Sequence, residues 1–449
     1  MLPFAHALGT LRRGVLVAPV LALACAAPAA ANNVYVTNFD SNSVSQYDVG
    51  AGGALALLSP ETVAAGDGPF GVAVSPDGQS VYVTNFSSIN VSQYDVGASG
   101  ALAAKDTPTV PAADPPGELA VSPDGQSVYV ANVFSDRVSQ YDVGAGGALA
   151  AKSPPTVPTG TQPRGVAVSP DGQSVYVANL ISGSISQYDV GAGGTLAAKS
   201  TRTVPAGSGP VGITVSPDGQ SVYVTNFSSD NVSQYDVGAG GALALLSPET
   251  VAAGDGPFGV AVSPDGQSVY VANEFSNSIS QYDVGAGDAL SAKDTPTVPA
   301  GGGSPSQVAV SPDGQSVYVT NFASGNVSQY DVSAGGALAA KSAPTAPAGD
   351  FPVGVAVRPT PPPPPTIEDL IDSVEGLGLP HGLERGLLKK LTGAQRNLDA
   401  DDLAGACDKL ASFISHVGAQ SGKKTATAEA KELIHEASAV RESVGCGGG

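Results

Sequence analysis

Apolar and polar positions run in short blocks along residues 33–358, and one block can stand for the rest. GVAV (71–74) stops at SPDG (75–78), SVYVTN (80–85) follows, and a polar loop FSSIN (86–90) leads to VSQYDV (91–96). A glycine-rich turn, GASGAL (97–102), then precedes AAKDTPTV (103–110). In Ser-Pro-Asp-Gly the proline presets φ at one corner and the glycine accepts φ > 0 at the next, so a tight turn is expected. SVYVTN and VSQYDV carry β-branched and aromatic residues. The prolines of the last run suit an edge strand. Four strands, A to D, are predicted. Apolar side chains at consecutive positions in SVYV imply burial on both faces.

The block recurs. Its strand B tyrosine stands at 35, 82, 129, 176, 223, 270 and 318, a period of forty-odd residues. Short strands and turns at that period are the mark of a propeller blade, and seven copies mean seven blades. The first copy begins at Asn33 without a strand A, and PVGVAVRP (352–359) is a strand A with nothing after it. One strand from the end joined to three from the start would close the ring without an open edge. The fold class expected is an all-β seven-bladed β-propeller with four-stranded blades and 1+3 closure, followed by a small all-α bundle.

The flanks differ in character. Residues 1–31 carry Arg12-Arg13, an apolar run and small residues Ala29 and Ala31, which reads as an export signal cleaved near Ala31. The run is too short and alanine-rich for a membrane span. PTPPPPP (359–365) is expected to be a polyproline spacer roughly 20 Å long. Residues 366–449 have helical spacing. Thr366 with Asp369 suggests a helix start, and four stripes follow: Leu370, Val374, Leu377; Leu383, Leu387, Leu391; Leu403, Leu410, Ile414, Val417; Leu433, Ala437, Val440, Val444. After leader removal two cysteines remain, Cys407 and Cys446. In an oxidising compartment they would pair, closing a loop of about 40 residues and adding on the order of 3–4 kcal/mol.

Charge narrows the partners. Residues 32–358 hold 27 acidic and 9 basic side chains and contain no His, Cys, Trp or Met. So acidic a surface argues against nucleic acid, which needs basic patches. The Tyr-Asp pairs of strand C recur in every copy and are expected to be structural rather than a metal ring. The mature-chain histidines, His381, His416 and His435, lie in the tail without ligand spacing, and no metal or cofactor is expected.

Comparing the copies with one another locates candidate chemistry. The A–B and C–D turns, which share one face, hardly change. The B–C loops and D-to-A crossovers, which share the other, vary. Before each GVAV-type run stand Phe70, Gly117, Arg164, Val211, Phe258, Ser306 and Val353, and the next position is Gly except at Glu118 and Gln307. One reading is a ligand site at the channel mouth, with polar contacts from Glu118, Arg164 and Gln307 and apolar ones from Phe70, Phe258 and Phe351. Arg137 and Glu274 would lie further out. The plain alternative is drift in solvent-exposed loops. Residues 55–83 are identical to 243–271, so similarity between copies partly reflects recent duplication.

The motifs YVTN (35–38, 82–85, 223–226, 318–321) and YVAN (129–132, 176–179, 270–273), each followed by a VSQYD or ISQYD strand, resemble the YVTN family of propellers of surface-layer-type proteins. With SPDG before and GAL after, the pattern also resembles lactonase-like seven-bladed propellers. That resemblance implies a ring-opening hydrolase, in which a His, Glu and Arg cluster is expected. Here no propeller His exists, and Glu118 with Arg164 is the remaining pair. GLGLPHGLERGLLKKL, ACDKLASFISHV and LIHEA make 366–446 similar to FIMAH-type helical domains, from which no activity follows. The leading expectation is an exported recognition or cell-envelope scaffold protein binding an extracellular protein or carbohydrate. A lactonase-like hydrolase and a structural surface-layer component are the alternatives.

Overall fold

A computed structural model describes residues 33–359, 366–400, 402–421 and 427–446. The expected leader and nearly all of the proline spacer lie outside these residues. Seven four-stranded antiparallel sheets form, each in the order A-B-C-D from the axis outward. In blade 2 these are Pro69–Val74, Ser80–Asn85, Asn90–Val96 and Leu102–Pro111. Blade 1 takes its strand A from the end of the array. Pro352–Val357 pairs with Asn33–Asn38, placing Val34 opposite Val357, Tyr35 opposite Ala356 and Val36 opposite Val355. The 1+3 closure is therefore as expected.

Each strand B is buried along its whole length, as the consecutive apolar positions imply. The SPDG turn satisfies itself. Asp77 Oδ1 accepts from Ser75 Oγ and from the Gln79 N–H, and Ser75 Oγ accepts from the Ser80 N–H at 2.9 Å. Gly78 sits at φ 69°, which a β-branched residue would resist.

The blades are tied by three repeated side chains. The strand B tyrosine donates forward to the next blade: Tyr35 to Gly100 O, Tyr82 to Gly147 O, and so on to Tyr318, which reaches Gly53 O of blade 1. The strand C tyrosine donates backward, as Tyr94 does to Ala64 O and Tyr47 to Pro347 O. Between them the strand C glutamine bridges. Gln46 Oε1 accepts from the Leu102 N–H of blade 2, while its Nε2 donates to Pro60 O of its own blade. Gln329 does the same to Leu55, carrying the pattern across the closure. Burial raises all these phenols above their ordinary value, so they remain neutral donors. The aspartate after the strand C tyrosine is structural in most blades. In five blades it pairs with a strand D lysine (Lys105, Lys152, Lys199, Lys293, Lys341) that also donates to a carbonyl of the next blade. In blades 1 and 5 Leu58 and Leu246 occupy the lysine's place.

The tail forms four helices: α1 Ile367–Gly376, α2 His381–Asp399, α3 Leu403–Gln420 and α4 Thr427–Ser443. Thr366 and Asp369 make the reciprocal capping box that opens α1. Leu370, Val374, Leu383, Leu387, Leu391, Leu410, Val417, Leu433, Ala437 and Val440 form one core, joined by Phe413. Leu403 departs from its expected stripe. It is the first residue of α3 and is 42% exposed, and Ala406 takes the buried place one turn on. Cys407 and Cys446 form a disulfide, 39 residues apart. Among the described residues no helix is long and apolar enough to cross a membrane.

Two outcomes test the ring. A chain ending at Asp350, which lacks blade 1's strand A, is expected to lose cooperative unfolding of the propeller and become protease-sensitive, whereas one ending at Pro359 keeps both. Tyr129→Phe leaves the Gly194 carbonyl without its donor and is expected to cost about 1–2 kcal/mol in urea unfolding.

Candidate active site

The site begins with a bulge. In every blade strand A carries one residue more than strand B between two paired positions. In blade 3, Pro116 opposes Asn132 and Leu119 opposes Val130, which leaves Gly117 and Glu118 as the irregular pair. In blade 7 the same step lies between Pro305 and Val308 and re-aims Ser306 and Gln307. A bulge turns side chains out of the regular alternation, so the two positions that vary among copies are those freed from blade packing.

Threonine of YVTN pins the bulges. Thr84 Oγ1 accepts from the Gly71 N–H at 2.8 Å and donates to Gly117 O of blade 3 at 2.7 Å, just before Glu118. Thr320 Oγ1 accepts from the Gln307 N–H at 3.0 Å and donates to Val353 O at 2.6 Å. Glycine at the second bulge position is a packing requirement in most blades. A Cβ on Gly212 or Gly354 would lie 2.3 or 2.4 Å from the neighbouring blade's carbonyl, on Phe258 or Phe70. On Gly71 it would lie 2.9 Å from Glu118 Oε2, and on Gly259 2.7 Å from Gln307 Oε1. The two longer side chains thus lean over glycines of the preceding blades.

They also meet. Gln307 Nε2 of blade 7 donates to Glu118 Oε1 of blade 3 at 2.9 Å, across the channel. Desolvation in this constriction pushes the Glu118 carboxyl up to about 7, although the Gln307 hydrogen bond and the Arg164 charge both pull it down. Burial also lowers Arg164 from its ordinary value, opposed by Glu118. Among the described residues no ion pair within 4 Å closes between these two. The Arg164 guanidinium instead lies 5.8 Å from the centre of the Phe70 ring, within cation–π range.

Arg164 and Phe70 wall a pocket of about 240 Å³ together with Phe39, Phe86, Phe322 and Val353. Of the six residues expected at a mouth site, the structure gathers Glu118, Gln307, Arg164 and Phe70. Phe258 stands in a second aromatic group, 6.2 Å from Phe227. Phe351 packs against Phe322 in a tilted pair with centroids 4.6 Å apart, behind the pocket wall. Arg137 bonds Thr156 on the exposed rim. Burial raises the Glu274 carboxyl. Phe39, Phe86 and Phe322 were missed, although the sequence shows the signal: phenylalanine directly follows the YVTN asparagine in copies 1, 2, 5 and 7.

The model of the lactonase family, described as a seven-bladed β-propeller, matches residues 28–211 and 212–360. The chain belongs to that family. Among solved structures it is similar to the periplasmic gluconolactonase of Pseudomonas aeruginosa, with 23% identity and a TM-score of 0.64 over 74% of this chain and 100% of that one. A putative 6-phosphogluconolactonase from Bacteroides uniformis is 21% identical, with a TM-score of 0.64 over 73% and 99% of the two chains. Its Bacteroides fragilis counterpart is 20% identical, with a TM-score of 0.63 over 73% and 98%. At these identities the neighbours speak to the fold alone. No curated protein matches the chain. Lactonase-family membership overturns the leading expectation of a recognition or envelope scaffold and favours the hydrolase alternative. The repeat grammar shared by YVTN and lactonase propellers had left the two undivided.

The raised carboxyl predicts a stability signature. A group whose folded pKa lies above its unfolded 4.5 contributes stability below that value and loses it as pH rises through about 7. Glu118→Gln has no charge to bury. Its propeller transition should match the parent at pH 4 and exceed it by on the order of 3 kcal/mol at pH 8 in denaturant unfolding.

Proposed function

We propose that the protein is an exported lactonase-like hydrolase that opens the ring of a lactone at the channel mouth. The observation that carries this reading is the Glu118 carboxyl. Burial raises its pKa to about 7, Oε1 is tethered to Gln307, and among the described residues no side chain hydrogen-bonds Oε2. A base poised near the working pH is what ester hydrolysis requires. Glu118 would take a proton from a water molecule as that water attacks the lactone carbonyl. Arg164 would stabilise the negative charge that develops on the carbonyl oxygen. The ring C–O bond then breaks, and the alkoxide recovers the proton from Glu118, giving the open hydroxy acid. Gln307 positions the carboxylate. No histidine is needed, because a carboxylate with this pKa serves as the base.

Export is supported by the leader-like residues 1–31 and by the periplasmic location in the name of one structural neighbour. The helical module, similar to FIMAH-type domains, would be held off the ring by the proline spacer.

On glucono-δ-lactone, after subtraction of spontaneous opening, kcat/KM is expected to rise about tenfold per pH unit below 7 and to level above it. Glu118→Gln should lower it at least about 100-fold. Undiminished turnover in that variant, or none in the parent across a panel of lactones, refutes the reading.

A further inference from the structure

Phenylalanine is concentrated on one face of this propeller. Of the 11 in the chain, Phe4 lies in the leader-like residues 1–31 and Phe413 in α3; Phe70 and Phe258 stand at the bulge of strand A, and the rest belong to the B–C loops or the crossover before Pro352. At the mouth, Phe39, Phe70, Phe86, Phe322 and Val353 line the open pocket of about 240 Å³, and Arg164 is the charged residue in its wall. Phe39 and Phe86 stand 6.4 Å apart in a tilted pair, so the wall is itself packed. The pocket adjoins the base: Gly71, over which Glu118 Oε2 leans, directly follows Phe70.

We propose that this pocket takes the apolar substituent of a neutral lactone, an unbranched alkyl chain or an aryl group on the lactone ring. The proposal rests on the hydrolase reading above for the chemistry at Glu118, though not for the pocket's preference. A polyhydroxylated ring would lose water from its hydroxyls against phenylalanine walls that return no hydrogen bonds. A phosphorylated ring would bring a dianion to a single guanidinium already resting on Phe70, on a domain with 27 acidic and 9 basic residues. An alkyl chain meets neither obstacle. At roughly 30 Å³ per small group, the pocket has room for about six to eight carbons.

The test uses the full-length chain and two series. One is γ-lactones carrying methyl to heptyl chains, with glucono-δ-lactone and its 6-phosphate for comparison. The other is the matching γ-lactams, which resist ring opening and report binding by calorimetry. Lactam affinity and lactone kcat/KM are expected to rise about three- to fourfold per methylene until the pocket is full. In Phe86→Ala the slope of that rise should flatten. Turnover with no chain-length gain, or with either sugar lactone preferred, overturns this inference and leaves the hydrolase reading standing. A chain-length gain in lactam binding with no turnover of any lactone refutes the hydrolase and upholds the pocket. Neither gain nor turnover overturns both.

Discussion

The ring depends on one three-part contact, repeated at every blade junction. A strand B tyrosine reaches forward, a strand C tyrosine reaches backward, and a strand C glutamine joins its own outer strand to the next one. All three bury polar atoms against backbone carbonyls and amides of a neighbouring blade. A neighbouring blade packed out of register would bury those groups without partners, a larger cost than any single bond returns. The contact therefore fixes the register in which the ring closes. That the junction between blades 7 and 1 uses the same atoms, through Tyr318, Gln329 and Tyr47, shows that the borrowed strand completes an ordinary blade.

That regular scaffold makes the irregular centre possible. Strand A bulges in all seven blades, and in five of them glycine lets the inner strands approach until a Cβ would collide. A closed ring of glycines offers no chemistry. Two departures, Glu118 and Gln307, sit in blades far apart around the ring and close enough across it to bond. The constriction that joins them also strips water from the carboxyl, which raises its pKa. Geometry and electrostatics at the site thus share one cause, the narrowness of the bulged inner ring. Threonine in four of the YV(T/A)N copies pins a bulge in the same way, Thr84 and Thr320 next to Glu118 and Gln307, and Thr37 and Thr225 where only glycine stands.

Much of this was legible in the chain. The missing strand at Asn33 and the spare one at 352–357 foretold the closure, because a propeller must end without an edge. SVYV foretold double burial, Thr366 with Asp369 foretold a cap, and the cysteine count pointed to the Cys407–Cys446 bond. Comparing copies singled out Glu118, Gln307 and Arg164 because a repeat protein supplies its own baseline. The same comparison could not rank the phenylalanines. Phe70 and Phe258 occupy equivalent positions in duplicated segments, yet one lies beneath Arg164 and the other in a different aromatic group. Leu403 matched a helical stripe but fell on the first turn of α3, where periodicity says nothing about how far the core extends.

The sequence by itself determined the blades, their number, their closure and the positions where copies differ, because strand period, turn chemistry and repeat length act locally and add up along the chain. The tertiary structure alone decided which differing positions meet. Glu118 and Gln307 are 189 residues apart, and no local rule relates them. Their contact exists because seven-fold closure places two bulges on facing walls of a channel that two side chains together can span. The pocket beside them exists because the strand A bulges of blades 1, 2 and 4 and the B–C loops of blades 1, 2 and 7 present side chains to the same opening.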